Sequence, residues 1–242
     1  MKSNVVLIPT YNESESIVDL LQGLMTVETD VIIIDDNSPD ETSKIIKGLD
    51  YPHIRVIDNG DKNGIGAAYI SGIKLALELG YERIATMDAD GSHLATDLQK
   101  MFSVDRSFDV VMGTRWMLGG SVLNWSLHRR LLSQFGTWYA RKATGMPYRD
   151  LTGGLRIYSA DVLRKLEMKS IRSNGYCFQI EMIRALSVVR ANFKEAPIQF
   201  IEREQGKSKM SKAIVLEAFV RVSLWGIQRI FGYNADKLHY VK

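Results

Sequence analysis

At 242 residues, the chain is long enough for one large α/β domain, or at most two small ones, with ample material for a hydrophobic core. Its composition, 45% hydrophobic and 24% charged, is that of a globular protein and excludes a disordered chain. A net charge of +3 is too small to indicate nucleic-acid binding, and the single cysteine excludes a disulfide framework or an all-cysteine metal site.

No targeting or membrane-spanning segment is predicted. The apolar run at 5–8 is far shorter than the hydrophobic core of a secretory signal. Elsewhere no stretch reaches the roughly eighteen apolar residues that a membrane span needs. The sequence therefore predicts a cytoplasmic protein, which does not exclude one that works at a membrane surface.

Short β-branched or apolar runs alternate with segments of helical periodicity in the first half of the chain. The predicted strands are 5–8, 31–35, 54–57, 84–88 and 110–113. Between them, helices are predicted around 17–24, 45–49 and 67–79. Such alternation predicts an α/β fold with an open, doubly wound sheet, whose ligands bind at the carboxyl ends of the strands.

The pattern changes after Arg115. The sequence predicts a long helix at 125–144, a strand at 155–158, a helix at 179–189, a strand at 193–201, a charged loop at 202–209 and a final helix at 212–231. Only a narrow polar stripe runs along the final helix. The rest of this helix forms a wide apolar face, which we expect to be covered by the protein itself, by a partner or by lipid.

The most informative stretch is 84–93, an apolar run that ends in Asp88 and Asp90. If the strand geometry holds past Met87, these residues point the same way and their carboxylates converge. Two such oxygen ligands suit Mg²⁺ or Mn²⁺, which commonly takes its remaining ligands from substrate phosphates. An Asp-x-Asp triplet is also common as a turn or helix cap, so the pattern alone leaves both interpretations open.

Seven blocks of sequence carry a resemblance to a known family. Residues 9–13, 31–40, 87–93 and 113–115 resemble the inverting nucleotide-sugar glycosyltransferases of the GT-A fold. Residues 150–156, 175–181 and 203–211 resemble, more narrowly, the polyprenol-phosphate (dolichol-phosphate) mannose synthases. The resemblance runs from Val5 to about Trp225, which is nearly the whole chain.

The resemblance implies one GT-A domain, a Rossmann-like and mostly parallel sheet flanked by helices, over residues 1–242. We expect a nucleotide-sugar half at 1–115, an acceptor-side half with a lid loop at 116–211, and an amphipathic interfacial helix at 212–242. The implied reaction transfers mannose from GDP-mannose to a polyprenyl phosphate with inversion, giving a β-linked product. Polyprenyl-phosphate glucosyl transfer from UDP-glucose and a non-catalytic sugar-nucleotide-binding subunit remain alternatives.

The resemblance, combined with the charges that such a transfer must stabilise, predicts the site residues. The catalytic residues are Asp88, Asp90, Arg115 and Arg129; the donor is bound by Pro9, Tyr11, Glu13, Asp36, Asp88, Ala89, Asp90, Arg203 and Lys209; the acceptor is bound by Arg115, Arg129, Arg130 and Ser133. Mg²⁺ or Mn²⁺ is expected on Asp90, with Asp88 and Ser92 as further candidate ligands. The family often has Gln where this chain has Ser92.

Several of these residues also have purely structural explanations. Pro9 and Glu13 suit the end of a strand and the start of a helix. Of the neighbouring Asp35 and Asp36, one is expected to face a ligand hydroxyl unless it caps the next helix. The lysines of 203–211 suit either a solvated loop or a lid that closes on a diphosphate.

A polyprenyl phosphate acceptor implies that the protein works at a membrane surface. A prenyl tail stays in lipid or in an apolar groove, and 118–138 and the final helix both combine large apolar residues with Arg or Lys. We therefore expect the protein to lie peripherally on the inner face of the cytoplasmic membrane, with a membrane-anchored partner protein as a further candidate partner. Arg129 and Arg130 beside the apolar stripe favour a lipid phosphate there.

Overall fold

The computed structural model describes residues 2–60, 64–173, 175–202, 212–231 and 239–241. Its strands are β1 (Lys2–Thr10), β2 (Asp30–Asp35), β3 (Ile54–Asp58), β4 (Tyr81–Thr86), β5 (Val110–Thr114), β6 (Ser121–Leu123), β7 (Arg156–Ser159), β8 (Phe193–Pro197) and β9 (Gln199–Ile201). Its helices are α1 (Ile17–Leu24), α2 (Thr42–Gly48), α3 (Ile65–Glu78), α4 (Ala95–Phe102), α5 (Leu127–Thr144), α6 (Ala160–Arg164), α7 (Gly175–Val188) and α8 (Lys212–Ile230).

Seven of these strands form one mostly parallel sheet in the order β3-β2-β1-β4-β7-β5-β8. The exception to the parallel pairing is β7, which runs antiparallel to both β4 and β5. Arg156 at the start of β7 therefore lies beside Thr86 at the end of β4 and Met112 in β5. A second, two-stranded sheet pairs β6 with β9. The predicted fold class, a mostly parallel sheet flanked by helices, is confirmed.

The sheet is buried on both faces because successive residues of a strand point to opposite sides. On β1, Val5 and Leu7 join the core beneath α3 and α7, whereas Val6 and Ile8 join the core beneath α1 and α4. On α3, a Cβ at Gly72 would lie 2.9 Å from Cδ1 of Ile34, so glycine lets this helix lie close against the sheet.

Two predicted strands differ from the observed ones. The strand predicted at 84–88 ends at Thr86, before the two aspartates. The strand predicted at 193–201 is two strands, β8 and β9, in different sheets. The chain turns between them at Ile198, whose N–H donates to the carbonyl of Thr114 and whose carbonyl accepts from the N–H of Ser121. Helices α4 and α6 and strand β6 were not predicted.

Helices α5 and α8 pack against each other beyond the sheet. The Tyr139 hydroxyl lies 2.6 Å from the Ser223 hydroxyl, and the Tyr139 ring stacks on Phe219 with 4.9 Å between centroids. Gly226 faces Ala143, where a Cβ would come within 3.2 Å. Among the helices of the described ranges, none combines the length and apolarity needed to cross a bilayer.

Large apolar side chains nevertheless remain exposed on both of these helices. They are Leu127, Leu131, Leu132, Phe135 and Trp138 on α5, and Leu216, Phe219, Leu224, Ile227 and Ile230 on α8, followed by Phe231. We call this set the α5–α8 face. Trp225, a large apolar residue of the predicted final helix, does not belong to this face, because it is buried and the guanidinium of Arg184 lies 4.8 Å from its ring centroid.

Candidate active site

Asp88 and Asp90 lie in the loop between β4 and α4, at the carboxyl edge of the sheet. Strand pairing stops just before them, with the N–H of Met87 donating to the carbonyl of Leu7. The condition under which the strand would align the two side chains, strand geometry past Met87, is therefore not met. Asp88 is contacted by other elements, and Asp90 is held by its own loop.

The Asp88 carboxylate lies between two ring side chains. The Tyr69 hydroxyl donates to Oδ1 over 3.3 Å, and Nε2 of His93 lies 3.4 Å from Oδ2. Burial raises the pKa of Asp88, but the adjacent His93, the Tyr69 hydroxyl and the charge of Arg115 together lower it below its usual range. Asp88 is therefore ionised at neutral pH. Its side chain is 31% exposed and thus accessible to a ligand.

Gly154 closes the other side of Asp88. A Cβ at this position would lie 2.9 Å from Oδ1 of Asp88, which is too close for any side chain. The segment is held in place because the Thr86 hydroxyl donates to the Gly154 carbonyl over 2.8 Å. Gly154 belongs to the block 150–156, and its close approach to Asp88 is a reason for glycine at this position.

Asp90 is held by its own loop. Its Oδ1 accepts hydrogen bonds from the backbone N–H of Ser92 at 3.1 Å and from the Ser92 hydroxyl at 2.5 Å. Gly91 between them has φ of +72°, a conformation that favours glycine. Ser92, a candidate metal ligand, is thus buried against Asp90, and its role as a ligand stays a prediction.

Both aspartates influence one buried side chain. Burial, followed by the charge of Asp88 and, more weakly, that of Asp90, raises the pKa of Tyr69 well above its usual value. No cluster of three or more His, Cys, Asp or Glu side chains suited to a metal occurs in the part of the chain that the structure describes. Asp88 and Asp90 offer two carboxylates from one loop, a hard donor set that fits Mg²⁺ or Mn²⁺.

The predicted donor-binding residues lie on the neighbouring strand ends. Asp35 is saturated by protein, since its oxygens accept from the Thr10 hydroxyl and from the hydroxyl and N–H of Ser38. Asp36, also buried, accepts from Nδ2 of Asn59 at 2.8 Å. Of this pair, Asp35 therefore has the structural role, and donor binding by Asp36 stays a prediction.

The loop after β1 contacts the aspartate loop, which holds Asp88 and Asp90, directly. Pro9 pairs with Ile34 of β2, and Tyr11 and Glu13 follow it as half-buried residues. The carbonyl of Glu13 accepts from the N–H of Ser16, whose hydroxyl lies 3.2 Å from the carbonyl of Ala89. Most of the predicted donor-binding residues thus gather around one sheet edge; Arg203 and Lys209 lie outside the described residues.

Arg115 is largely buried and bound to Asp150, which is fully buried. Nε and Nη2 of Arg115 donate to the two oxygens of Asp150 over 2.7 and 2.8 Å, and Nη2 also donates to the Thr152 hydroxyl over 2.9 Å. Burial raises the pKa of Asp150, but the charge and hydrogen bonds of Arg115 lower it below its usual range. The guanidinium lies 5.5 Å from the ring centroid of Trp125. Acceptor binding by Arg115 stays a prediction.

Arg129 lies against the same tryptophan. Its guanidinium is 4.4 Å from the Trp125 ring centroid, and Nη1 donates to Oε1 of Glu202 over 2.5 Å. This arginine is at the start of α5, where Ser126 caps the helix by accepting from the Arg129 N–H. Arg130 is exposed and Ser133, one turn further on, is half-buried. The structure thus brings Arg115 and Arg129 to one ring, and the charge of Arg115 acts on Asp88.

Several residues that contribute to the site were not identified from the sequence. Tyr69 lies within a helix of ordinary apolar periodicity. Trp125 was predicted as core or as part of the apolar segment 118–138, without a contact to the arginines. Asp150 lies in the block 150–156, but its partner was not predicted, because the contact with Arg115 spans 35 residues of sequence. Glu202 was predicted only as part of a charged loop.

Comparison with known proteins identifies the family. The sequence pattern of Glycosyl transferase family 2 matches residues 5–167. The undecaprenyl-phosphate mannosyltransferase of Micrococcus luteus is 40% identical over 92% of this chain and 93% of its own. The polyprenol monophosphomannose synthase of Mycolicibacterium smegmatis is 37% identical over 93% of this chain and 87% of its own.

Two solved structures share the fold. Glucosyl-3-phosphoglycerate synthase of Mycobacterium tuberculosis, in complex with Mn²⁺, UDP and its product, superposes with a TM-score of 0.61 and 15% identity, covering 96% of this chain and 80% of that chain. A mannosyltransferase of Pyrobaculum calidifontis, in complex with GDP-mannose and Mn²⁺, gives 0.56 and 13%, covering 95% and 64%. The family pattern spans well over half of the sequence, and the chain therefore belongs to glycosyl transferase family 2.

Proposed function

We propose that this protein transfers mannose from GDP-mannose to a polyprenyl phosphate, with inversion at the anomeric carbon. The observation that carries the proposal is the combination of two carboxylates in the loop after β4 with two arginines around Trp125, of which Arg115 acts electrostatically on Asp88. A transfer between phosphates needs both kinds of group. The names of the two relatives that match nearly the whole chain support the same substrate class.

The donor is proposed to bind where the loops after β1, β2 and β4 meet. Asp90 and Asp88 would hold a divalent ion, Mg²⁺ or Mn²⁺, that neutralises charge on the departing diphosphate. The loop after β1, with Pro9, Tyr11 and Glu13, would hold the nucleoside. The GDP-mannose and Mn²⁺ in the Pyrobaculum structure support this donor and this class of metal.

The acceptor is proposed to bind on the arginine side. An oxygen of the lipid phosphate forms a bond to C1 of mannose while the C1–O bond to GDP breaks and its electron pair leaves with the β-phosphate. Since a phosphate is already ionised at neutral pH, no strong general base is required. Arg115 and Arg129 would balance the acceptor's charge against that of the diphosphate.

One assay tests the proposal and its alternatives. Purified protein with Mg²⁺ or Mn²⁺ is given a short polyprenyl phosphate and either GDP-mannose or UDP-glucose, each labelled in the sugar. Labelled lipid from GDP-mannose alone supports the proposal. Transfer from UDP-glucose alone would indicate the glucosyltransferase, and absence of transfer together with donor binding would indicate a non-catalytic subunit.

Asp90→Ala tests the metal. Losing a carboxylate that holds the ion should remove several kcal/mol of transition-state stabilisation, so transfer should fall below about a tenth of wild type while the fold persists. Circular dichroism serves as the folding control. Full activity of the wild type in excess EDTA would contradict the proposed metal.

The α5–α8 face is proposed to contact the inner surface of the cytoplasmic membrane, where the prenyl tail of the acceptor resides. It exposes at least ten large apolar side chains on two adjacent helices, and Arg129 and Arg130 lie on the same α5 helix. A membrane-anchored partner protein is the alternative occupant.

Flotation with vesicles containing anionic lipid tests this contact. The wild type should float, and the double variant Leu131→Ser with Leu224→Ser should float less, because both residues are exposed on the α5–α8 face. Met25→Ser, a change at an exposed apolar residue after α1, is the matched control and should float like the wild type. Wild-type protein that stays at the bottom would contradict direct lipid contact.

A further inference from the structure

Asp88 is not positioned by the strand that precedes it. Strand β4 ends at Thr86, and the carboxylate of Asp88 is then contacted by residues from three other places: Tyr69 on α3, Gly154 before β7, and His93 before α4. Of these, Tyr69 provides a geometrically acceptable hydrogen bond to the carboxylate in the structure. Both ring nitrogens of the buried His93 lack such a bond among the described residues.

Tyr69 is itself held rigidly. Its side chain is fully buried, and its ring stacks on Phe178 of α7 with 5.6 Å between centroids and 14° between planes. The helix that carries it lies close to the sheet at Gly72, one turn further along. A hydroxyl mounted in this way has little freedom to follow the carboxylate, so the carboxylate is held to the position of the hydroxyl.

The direction of this hydrogen bond follows from the chemistry of the two groups. A tyrosine hydroxyl carries a proton that it can donate, whereas a carboxylate only accepts. The bond therefore runs from the Tyr69 phenol to Oδ1 of Asp88, as the 3.3 Å distance between them allows.

We infer that Tyr69 is a positioning residue of the transfer site, whose hydroxyl fixes Oδ1 of Asp88 and thereby the direction in which this carboxylate meets the nucleotide sugar and its divalent ion. The inference rests on the proposed function in taking Asp88 as part of the donor site. It deepens that proposal, because it names a residue in a helix of the core on which the geometry of the aspartate loop depends.

The chain offers a matched control in Tyr158. This second tyrosine, on β7, is fully buried in the same core. Its hydroxyl, however, has no hydrogen-bond partner among the described residues. Tyr69→Phe and Tyr158→Phe therefore remove the same atom from the same core, and only the first removes a bond to Asp88.

The test compares these two variants with the wild type. Outer-sphere hydrogen bonds to a metal-binding group typically change metal affinity or activity by about 10–100-fold, so Tyr69→Phe should lower kcat and raise the half-saturating Mn²⁺ concentration within that range. Titration calorimetry of Mn²⁺ with nucleotide sugar, without acceptor, should show weaker binding by Tyr69→Phe. Tyr158→Phe should match the wild type in all three measurements, and thermal unfolding shows that both variants are folded.

Equal kcat and equal Mn²⁺ affinity for the two variants would overturn the inference. The calorimetry uses whichever nucleotide sugar the wild type binds, GDP-mannose or UDP-glucose. Binding of UDP-glucose in place of GDP-mannose would therefore contradict the proposed function and leave the comparison of the two tyrosines decisive.

Discussion

Two arginine–carboxylate pairs flank the ring of Trp125, and they differ in burial. In the Arg115–Asp150 pair the side chains are 6% and 0% exposed, and two parallel hydrogen bonds join them. In the Arg129–Glu202 pair they are 30% and 34% exposed, with one hydrogen bond. Both arginines were predicted to hold the acceptor phosphate, but only the second can exchange its carboxylate for a ligand at low cost.

The difference follows from solvation. Separating a buried pair leaves a charge without water, whereas an exposed pair that separates is solvated again. We therefore expect Arg115 to contribute to the site mainly through a fixed charge and through the Asp150 segment that it anchors. Arg129 is expected to provide the exchangeable contact with the acceptor phosphate.

The largest expected effect comes from Asp150→Ala. This change leaves the buried guanidinium of Arg115 without its counter-ion, and breaking a buried pair in this way typically costs about 3–5 kcal/mol of unfolding free energy. Urea unfolding measures the loss. A change below about 1 kcal/mol would show that the two pairs are energetically alike, and would break the comparison.

The Arg115–Asp150 pair should also make stability depend on acid. The pKa of Asp150 is lowered in the folded protein from an ordinary value of 3.8, so its contribution is fully present above that pH. It is lost as the pH falls below 3.8 and through the lowered folded-state pKa. The unfolding free energy, measured between pH 6 and pH 3, should therefore decrease more steeply with falling pH for the wild type than for Asp150→Asn. An equal decrease in both proteins would contradict the assignment.

Arg129→Ala should affect binding more than stability. Hydrogen bonds to a charged group contribute about 1.5–3 kcal/mol, so the KM for polyprenyl phosphate should rise roughly tenfold or more while the KM for GDP-mannose stays unchanged. Arg141→Ala, at an exposed arginine in the last turn of the same helix, is the control. If the donor KM rises instead, Arg129 belongs to the diphosphate site.

The smallest effect is expected from Glu202→Gln. An ion pair that is accessible to solvent contributes about 0.2–1 kcal/mol, so the unfolding free energy should change by no more than about 1 kcal/mol. Because the amide competes less with a phosphate for Arg129, the acceptor KM should fall by at most about fivefold. A rise in the acceptor KM, measured in the same assay as for Arg129→Ala, would mean that Glu202 orients Arg129 and does not compete with the acceptor.

These pairs also indicate how far the sequence could lead. The parallel strands were predictable because buried strands of this kind are runs of β-branched residues, as in 31–35, and the seven blocks indicated the family. The partners of Arg115 and Arg129 were not predictable, because they lie 35 and 73 residues away and meet them only through the sheet order. The break at Ile198 was missed for a similar reason, since β8 and β9 differ in their partners and not in their local composition.

The aspartate loop shows the same limit at closer range. The sequence placed Asp88 and Asp90 correctly at the carboxyl edge of the sheet but attributed their alignment to strand periodicity. In the structure, their orientation depends on Tyr69, Gly154 and Ser92. Of these contacts, only that between Ser92 and Asp90 is local in the sequence. Prediction from local pattern was therefore adequate for the location of the carboxylates and inadequate for their geometry.

The reversed strand β7 has a consequence for synthesis of the protein. Strand β5 pairs with β7 and β8 and is separated from β4 by β7, so it has no place in the sheet until residue 159 has left the ribosome. Until then, β4 is an edge strand with unpaired backbone groups, the kind of edge that promotes association between chains. A nascent chain arrested soon after residue 115 should therefore depend on chaperones, and one arrested beyond β8 should not.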